Sequence, residues 1–435
     1  MKKVLIITYY WPPSGGGGVQ RWLKFTKYLR EFGWEPVIYT HSNGEVPVID
    51  HSLENEIPQD IEVIKRPIWE PFSIYKKLTG QKSSEKVQTG FLSEGKKPGL
   101  MQKIATWIRG NFFIPDARCF WIKPSARYLD KEIKRIAPDV IVTTGPPHSM
   151  HLIAEKLRQK HNIPWIADFR DPWTNIDFYP RLMLTSIADK IHRKLEAKVL
   201  KKADQVLTVS KNWALDFKNL GAGNVEVITN GFDPDDFPEE TPSPESYFSL
   251  THAGYLNEDR NPVKLWDTLG QLVKKDEKFN QALKIRFIGK TDRSVFESLK
   301  YHGLENHIEN IDYLPHQEAI ELCCRSQILL LLLSDTPEAR GRIPGKLFEY
   351  LATKRPVFCI GPEDGDSARI IRETQSGYIA SFHSSETIEK NILRAFQEFN
   401  SGEISIKPEG IEKYKRKQLT GELSKVLNNI AQKTV

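Results

Sequence analysis

Val4-Leu5-Ile6-Ile7-Thr8-Tyr9-Tyr10-Trp11-Pro12-Pro13-Ser14-Gly15-Gly16-Gly17-Gly18-Val19-Gln20-Arg21 is the stretch on which the fold turns. It opens on a short, continuously apolar run, the pattern of a strand buried on both faces of a parallel sheet. Paired prolines cannot continue a ladder. Four glycines follow, and Trp22, Phe25, Leu29 and Phe32 then recur at helical spacing. A strand passing through a glycine-rich turn into a helix is the opening of a Rossmann-like unit. Such a turn exposes backbone N–H groups at the positive end of the helix, suited to a diphosphate or the sugar attached to it. Gly16, Gly17 and Gly18 are thus candidate donor-binding residues. The spacing is that of neither the dinucleotide fingerprint nor the P-loop, and a plain surface loop is the competing reading.

Outward from this stretch, β-branched runs alternate with helical stretches at residues 4–8, 36–40, 140–144, 165–168, 205–210 and 225–229. The pattern pauses at the polar, proline-rich residues 230–246 and restarts at 247–253, 285–288, 328–333 and 356–360. A chain of 435 residues also exceeds what one hydrophobic core serves. The fold class is therefore α/β: two Rossmann-like, doubly wound parallel-sheet domains. The first spans residues 1–235 and the second 246–410, with a helical pattern in 411–435.

The composition is that of an ordinary globular protein, 39% apolar and 27% charged. Cys119, Cys323, Cys324 and Cys359 form no CxxC pair and lie beside no histidine cluster, which argues against a disulfide framework or a zinc site and fits a reducing cytoplasm. The apolar run at the N-terminus is too short for a signal peptide, and no stretch approaches the length of a spanning helix. Residues 1–230 hold 35 basic against 24 acidic side chains, the remainder 27 against 32. No nucleic-acid module accompanies this basic half, so nucleic acid is not expected as a partner. Residues 75–115 interrupt the alternation with a polar stretch, then an amphipathic helical pattern over 100–109 with basic residues among apolar ones. That helix either packs on its domain or lies on a membrane surface.

Three further clusters follow strand ends. Gly145-Pro146-Pro147-His148-Ser149-Met150-His151 turns sharply and presents His148 at the rim that carries the glycine loop. The imidazole could bond sugar hydroxyls or a phosphate; otherwise the segment is a helix start with Ser149 as cap. Asp168-Phe169-Arg170-Asp171-Pro172-Trp173 sets two carboxylates around an arginine beside an aromatic platform. It is either a polar grip on an acceptor, through Asp168, Arg170 and Trp173, or an internal Asp–Arg pair fixing a loop. In the second half, Arg260 follows the first strand, while Lys346 and Glu349 share one face near the start of a helix. A lysine there can neutralise a diphosphate and a glutamate can accept from a ribose diol; the alternative is an intrahelical ion pair. A nicotinamide cofactor is disfavoured, because the second strand ends Tyr39-Thr40-His41-Ser42 with no carboxylate for a ribose.

In order, the Trp-Pro-Pro glycine loop with Arg21, the Gly-Pro-Pro-His turn, Asp-Phe-Arg-Asp-Pro-Trp, Val227-Ile228-Thr229-Asn230-Gly231-Phe232-Asp233 and Pro344-Gly345-Lys346-Leu347-Phe348-Glu349-Tyr350 resemble the bacterial glycosyltransferases of family 4, of GT-B fold, along nearly the whole chain. The resemblance implies a hexosyltransferase-like, retaining, metal-independent enzyme needing no cofactor beyond its nucleotide-diphosphate sugar, with transfer in a cleft between the domains. It implies that the second domain holds the donor, with Arg260 and Lys346 on the diphosphate and Glu349 on the ribose, and that the first holds a glycan or lipid-linked acceptor, with the last helix packing back on it. His148 and Asp171 would orient donor or acceptor as catalytic residues. A place in cell-surface polysaccharide assembly, in the cytoplasm or peripherally at the inner membrane face, follows as the expected role. The chain departs from the family where a first glutamate is usual, eight positions before Glu349: that position is Gly341, with Glu338, Arg340 and Arg342 nearby. A nucleotide-sugar epimerase and an inactive sugar-nucleotide-binding scaffold are the alternatives this leaves.

Overall fold

The computed structural model describes residues 1–71, 100–240, 242–312, 314–403 and 405–432; the polar stretch 75–99 noted above lies outside them. The chain divides into two units, Met1–Thr229 with Arg416–Val435, and Asn230–Lys415.

In the first unit β1 (Lys2–Ile7) leads through the glycine turn into α1 (Gly17–Leu29), followed by β2 (Trp34–His41), β3 (Glu62–Arg66), α2 (Leu100–Phe112) and α3 (Ile122–Ile136). Then come β4 (Val140–Gly145), α4 (Ser149–His161), β5 (Trp165–Phe169), α5 (Ser186–Lys202), β6 (Gln205–Thr208), α6 (Lys211–Asn219) and β7 (Val225–Val227). The sheet order is β3-β2-β1-β4-β5-β6-β7, every neighbour parallel, with Val4 opposite Pro36 on one side and Val140 on the other. Alternate residues feed two cores: Leu5, Ile7, Ile141 and Ala167 on one face, Val4, Ile6, Val142 and Ile166 on the other. This two-sided burial is why the strands read as unbroken apolar runs.

The second unit repeats the plan. It runs β8 (Phe248–Ala253), α7 (Val263–Lys275), α8 (Glu277–Ala282), β9 (Leu283–Ile288), α9 (Arg293–Tyr301), β10 (Ile308–Ile311) and α10 (His316–Arg325). After these follow β11 (Ile328–Leu332), α11 (Lys346–Ala352), β12 (Val357–Ile360), α12 (Asp366–Glu373), β13 (Gly377–Ala380) and α13 (Ser385–Ser401). The order is β10-β9-β8-β11-β12-β13, again all parallel. The chain then returns to the first unit as α14 (Arg416–Gln432), whose Leu419, Leu423, Leu427 and Ile430 join Trp22, Phe25 and Leu29 in one core. Gly421 permits the approach, since a Cβ there would stand 3.1 Å from the Phe32 ring.

Three strands, β3, β10 and β13, had no counterpart in the sequence reading. All three are sheet edges. Edge strands are covered on fewer sides and carry polar residues, so Glu62-Val63-Ile64-Lys65-Arg66 and Ile308-Glu309-Asn310-Ile311 lack the continuous apolar signature of the central strands.

Candidate functional site

In each sheet the strand order reverses once, between β1 and β4 and between β8 and β11, and loops at the carboxyl ends of such strands are where open α/β sheets bind ligands. The candidate residues divide between these two places.

At the second, His252 is buried near the end of β8. Its Nδ1 lies 3.1 Å from the Leu330 carbonyl, to which it donates, so Nε2 is left to accept from the Lys346 ammonium 3.1 Å away. Lys346 also donates to the Ala253 carbonyl at 2.5 Å, and the Ala253 N–H donates to the Tyr350 hydroxyl at 2.9 Å. Two residues of α11 thereby pin the end of β8. Gly254, at φ +95°, has no side chain above this ammonium; a Cβ there would stand 3.2 Å from Nζ. Burial, then the neighbouring Arg260 charge, pulls the Lys346 pKa down to about 7. Burial, then the Lys346 charge, holds His252 well below the usual imidazole range. Burial and the Arg260 charge both oppose the charged form of Lys346, a cost that a bound anion relieves. Glu349 lies one turn along the helix, about one-third exposed, and meets His316 Nε2 at 3.3 Å. Lys346 and Glu349 therefore do not form an intrahelical pair; each has another partner. Gly341 is buried at the end of the turn Pro337–Gly341, while Arg340 pairs with Asp364 at 3.2 Å on the surface.

At the first place, the glycine loop begins α1 with Gly16 at φ +83° and no side-chain cap. Gly18 sits in tight contact, where a Cβ would crowd the Tyr10 ring at 3.0 Å and Arg170 Nη1 at 3.3 Å. Arg170 donates to the Gly18 carbonyl at 2.6 Å and to the Pro146 carbonyl, tying the glycine loop to the Gly-Pro-Pro turn. Its guanidinium is committed to the backbone, so the expectation that it grips an acceptor gives way to a loop-fixing role. Asp168 departs from expectation in the same way. It is 0% exposed and accepts from Arg21, Trp22 Nε1 at 2.7 Å and the Thr144 hydroxyl at 2.9 Å. A carboxylate enclosed on all sides reaches no acceptor; it belongs to the internal pair, though with Arg21 rather than Arg170. Asp171 is half-buried beside Arg170, whose pKa burial lowers and Asp171 raises.

His148 and Trp173 do come together. Their rings stack at 4.9 Å and 3°, and both line a cavity of about 170 Å3. Burial, then His151, keeps His148 uncharged, well below its ordinary pKa, and its Nδ1 has no hydrogen-bond partner. It offers a neutral imidazole rather than a strong base. His151 packs inside, Nδ1 at 2.8 Å from the Thr143 hydroxyl. Trp173 Nε1 donates to His192 Nδ1 at 3.1 Å, leaving His192 Nε2 to donate to the Gly110 carbonyl at 3.3 Å. Tyr10, Asp116 and Arg118 complete the polar floor, Arg118 paired with Glu70 at 2.9 Å. None of these three, nor His252, was singled out from the sequence. His252 alone carried a signal, a titratable residue inside a buried strand. Among the described residues no group of three or more His, Cys, Asp or Glu could hold a metal ion, and no helix is long and apolar enough to cross a membrane.

Comparison with known proteins follows the same division. Residues 85–236 match the model of "Glycosyltransferase Family 4". That stretch is similar to the glycosyltransferases of this family. Sucrose-phosphate synthase from Thermosynechococcus elongatus is similar to this glycosyltransferase with a TM-score of 0.60 at 12% identity, over 100% of this chain and 97% of its own. A variant of S. aureus TarM in complex with fondaparinux, α-GlcNAc-glycerol and UDP has a TM-score of 0.59 at 13% identity, covering 98% and 100%. HepE of Anabaena in complex with UDP-glucose reaches 0.57 at 12%, covering 100% and 98%. At such identities the likeness establishes the fold, two parallel-sheet units of the GT-B class. No curated protein sequence matches the chain.

Proposed function

We propose that this glycosyltransferase moves a sugar, with retention of configuration and without a metal, from a nucleotide diphosphate to a glycan or lipid-linked acceptor in cell-surface polysaccharide biosynthesis. It would work in the cytoplasm, in peripheral contact with the inner membrane face. The observation that carries the donor half of this reading is the cationic group at the end of β8, where Lys346 is bonded to Ala253 and His252 and feels the Arg260 charge. Breaking a glycosyl phosphate bond leaves negative charge on the departing diphosphate. Catalysis then rests on stabilising that charge, which fixed cations in a partly dry site do well. Glu349, at the edge of the same helix, would take the ribose diol. His148, held neutral by burial, would orient a hydroxyl by hydrogen bonding rather than abstract its proton. That TarM and HepE are described with UDP and UDP-glucose makes uridine nucleotides the first to try.

The test is calorimetric titration of the protein with UDP, GDP, ADP and their sugars, repeated with Lys346→Ala and Glu349→Ala. One nucleotide should bind saturably and each variant should weaken it about tenfold to a hundredfold, as expected for losing a charge-assisted contact worth about 1.5–3 kcal/mol. Absence of binding to any of them would sink the assignment. The alternatives are epimerisation on the same fold and binding without turnover, the latter suggested by Gly341 standing where a glutamate is usual; incubation with the bound nucleotide sugar alone separates these, since an epimerase alters it with no acceptor present.

A further inference from the structure

The cavity beneath α2 is built unlike a sugar site. Its walls are Phe113, Trp173, Ile176, Phe178 and Leu182 with four prolines; of its charged groups, Arg118 pairs with Glu70, Asp116 accepts from the Ser149 N–H at 2.9 Å, and Arg109 of α2 lies at the side. A space of about 170 Å3 matches one aromatic ring or a short branched alkyl segment. The roof is held by close backbone contact: Gly110 of α2 has no room for a Cβ, with the Leu182 carbonyl 2.8 Å away. Asn111 reinforces this junction, donating to the Met183 carbonyl and accepting from Thr185 N–H.

Outside the cavity the same two elements expose what a soluble surface normally hides. Phe112 is 67% and Ile187 74% exposed, with Leu100, Ile104, Trp107, Met183 and Ile191 also open. A chain of aromatic edges leads inward, from exposed Trp69 to Phe120 at 4.8 Å and from Phe120 to Phe113 at 5.8 Å on the cavity wall. The flanking charge is basic. The α2 helix has Lys103 and no carboxylate, its Arg109 turning to the cavity, and the exposed face of α5 bearing Ile187 and Ile191 carries Lys190 and Lys194, while Lys198 beyond them pairs with Glu155 at 2.8 Å. Apolar and aromatic side chains interspersed with lysines complement an anionic bilayer.

We propose that α2 and α5 rest on an anionic lipid surface and that the cavity behind them binds the first apolar segment of a prenyl or acyl chain drawn from it. That the chain belongs to the acceptor rests on the glycosyltransferase reading above; the binding itself does not.

Farnesyl phosphate, below its micellar concentration, serves as the probe for the full-length protein, with phosphatidylglycerol vesicles and neutral phosphatidylcholine vesicles as the surface. Farnesyl phosphate should bind saturably. Ile176→Trp, which fills the cavity, should weaken binding at least tenfold, and the milder Leu182→Phe, at a less enclosed position, should weaken it severalfold. Lys346→Ala should leave it unchanged. The protein should float with the anionic vesicles but not the neutral ones, and Trp107→Glu with Ile187→Glu, both at exposed positions where folding is not at stake, should cut flotation at least tenfold. Lack of saturable farnesyl phosphate binding, or equal binding by both cavity variants, overturns the cavity assignment, and flotation insensitive to vesicle charge or to the glutamate variant overturns the surface. Nucleotide binding measured on the same samples reports separately on the donor reading.

Discussion

Lys346 is an ammonium poised to change charge near neutral pH, because burial and the Arg260 charge bring its pKa to about 7. A bound diphosphate favours the charged form and raises that pKa in the complex. Between the two values binding takes up a proton, so affinity should be highest below pH 7 and fall by up to about tenfold per pH unit above it. Titrations at pH 8 in buffers of differing ionisation enthalpy should reveal uptake approaching one proton, absent in Lys346→Met; a flat profile between pH 6.5 and 8.5 would refute this role. Asp168 and Arg21 illustrate a different use of charge. Their pair, 0% and 1% exposed, also binds the Thr229 carbonyl through Arg21 Nη1 at 2.9 Å, so it ties α1, β5 and the end of the first unit together. Asp168→Ala strands a buried guanidinium and should cost about 3–5 kcal/mol in urea denaturation. An acceptor residue would instead show a raised KM in a protein of unchanged stability.

Helix α14 is remote in sequence from everything it packs on. Its apolar stripe completes the face of the first sheet that α1 covers only in part. Leu423 is wholly buried, so Leu423→Ala should lose about 2–5 kcal/mol from the transition of that unit. A chain cut after Lys415 should fail to fold its first unit even though it retains the glycine loop, the Gly-Pro-Pro turn and the whole of residues 85–236. Circular dichroism of the truncated chain, with loss of its cooperative first-unit transition, would check this; a native-like melt would show that α14 is dispensable.

Two separate sheets with four distinct apolar clusters imply two cooperative units rather than one. Scanning calorimetry should therefore resolve a transition that moves with nucleotide and one that does not. At a hundred times Kd the ligand adds about 2.7 kcal/mol to the unit that binds it. With Lys346→Ala neither transition should move. A shift of both by the same amount would mean that the units unfold together.

Much of this molecule is written locally. Continuous apolar runs such as 140–144 and 328–333 mark central strands because a strand covered on both faces must be apolar throughout, and the glycine loop announces a strand-to-helix turn because only such residues pass through it. The repeat of that alternation after 230–246 marks two sheets without any knowledge of their order. Other features exist only once distant residues meet. Asp168 reads as a ligand-facing carboxylate until Arg21, 147 positions away, encloses it. Lys346 and Glu349 read either as donor ligands or as a helical pair until His252 and His316 claim them separately. The cavity is spelled out by no single motif: the Gly-Pro-Pro-His turn and Asp-Phe-Arg-Asp-Pro-Trp give part of its wall, and Tyr10, the stretch 109–118, Ile176 to Leu182 and His192 join them only in the fold. Periodicity records which face of an element is covered; which side chains then neutralise, enclose or leave a space beside one another is set by packing between elements, and burial converts those meetings into shifted pKa values and an unfilled apolar pocket.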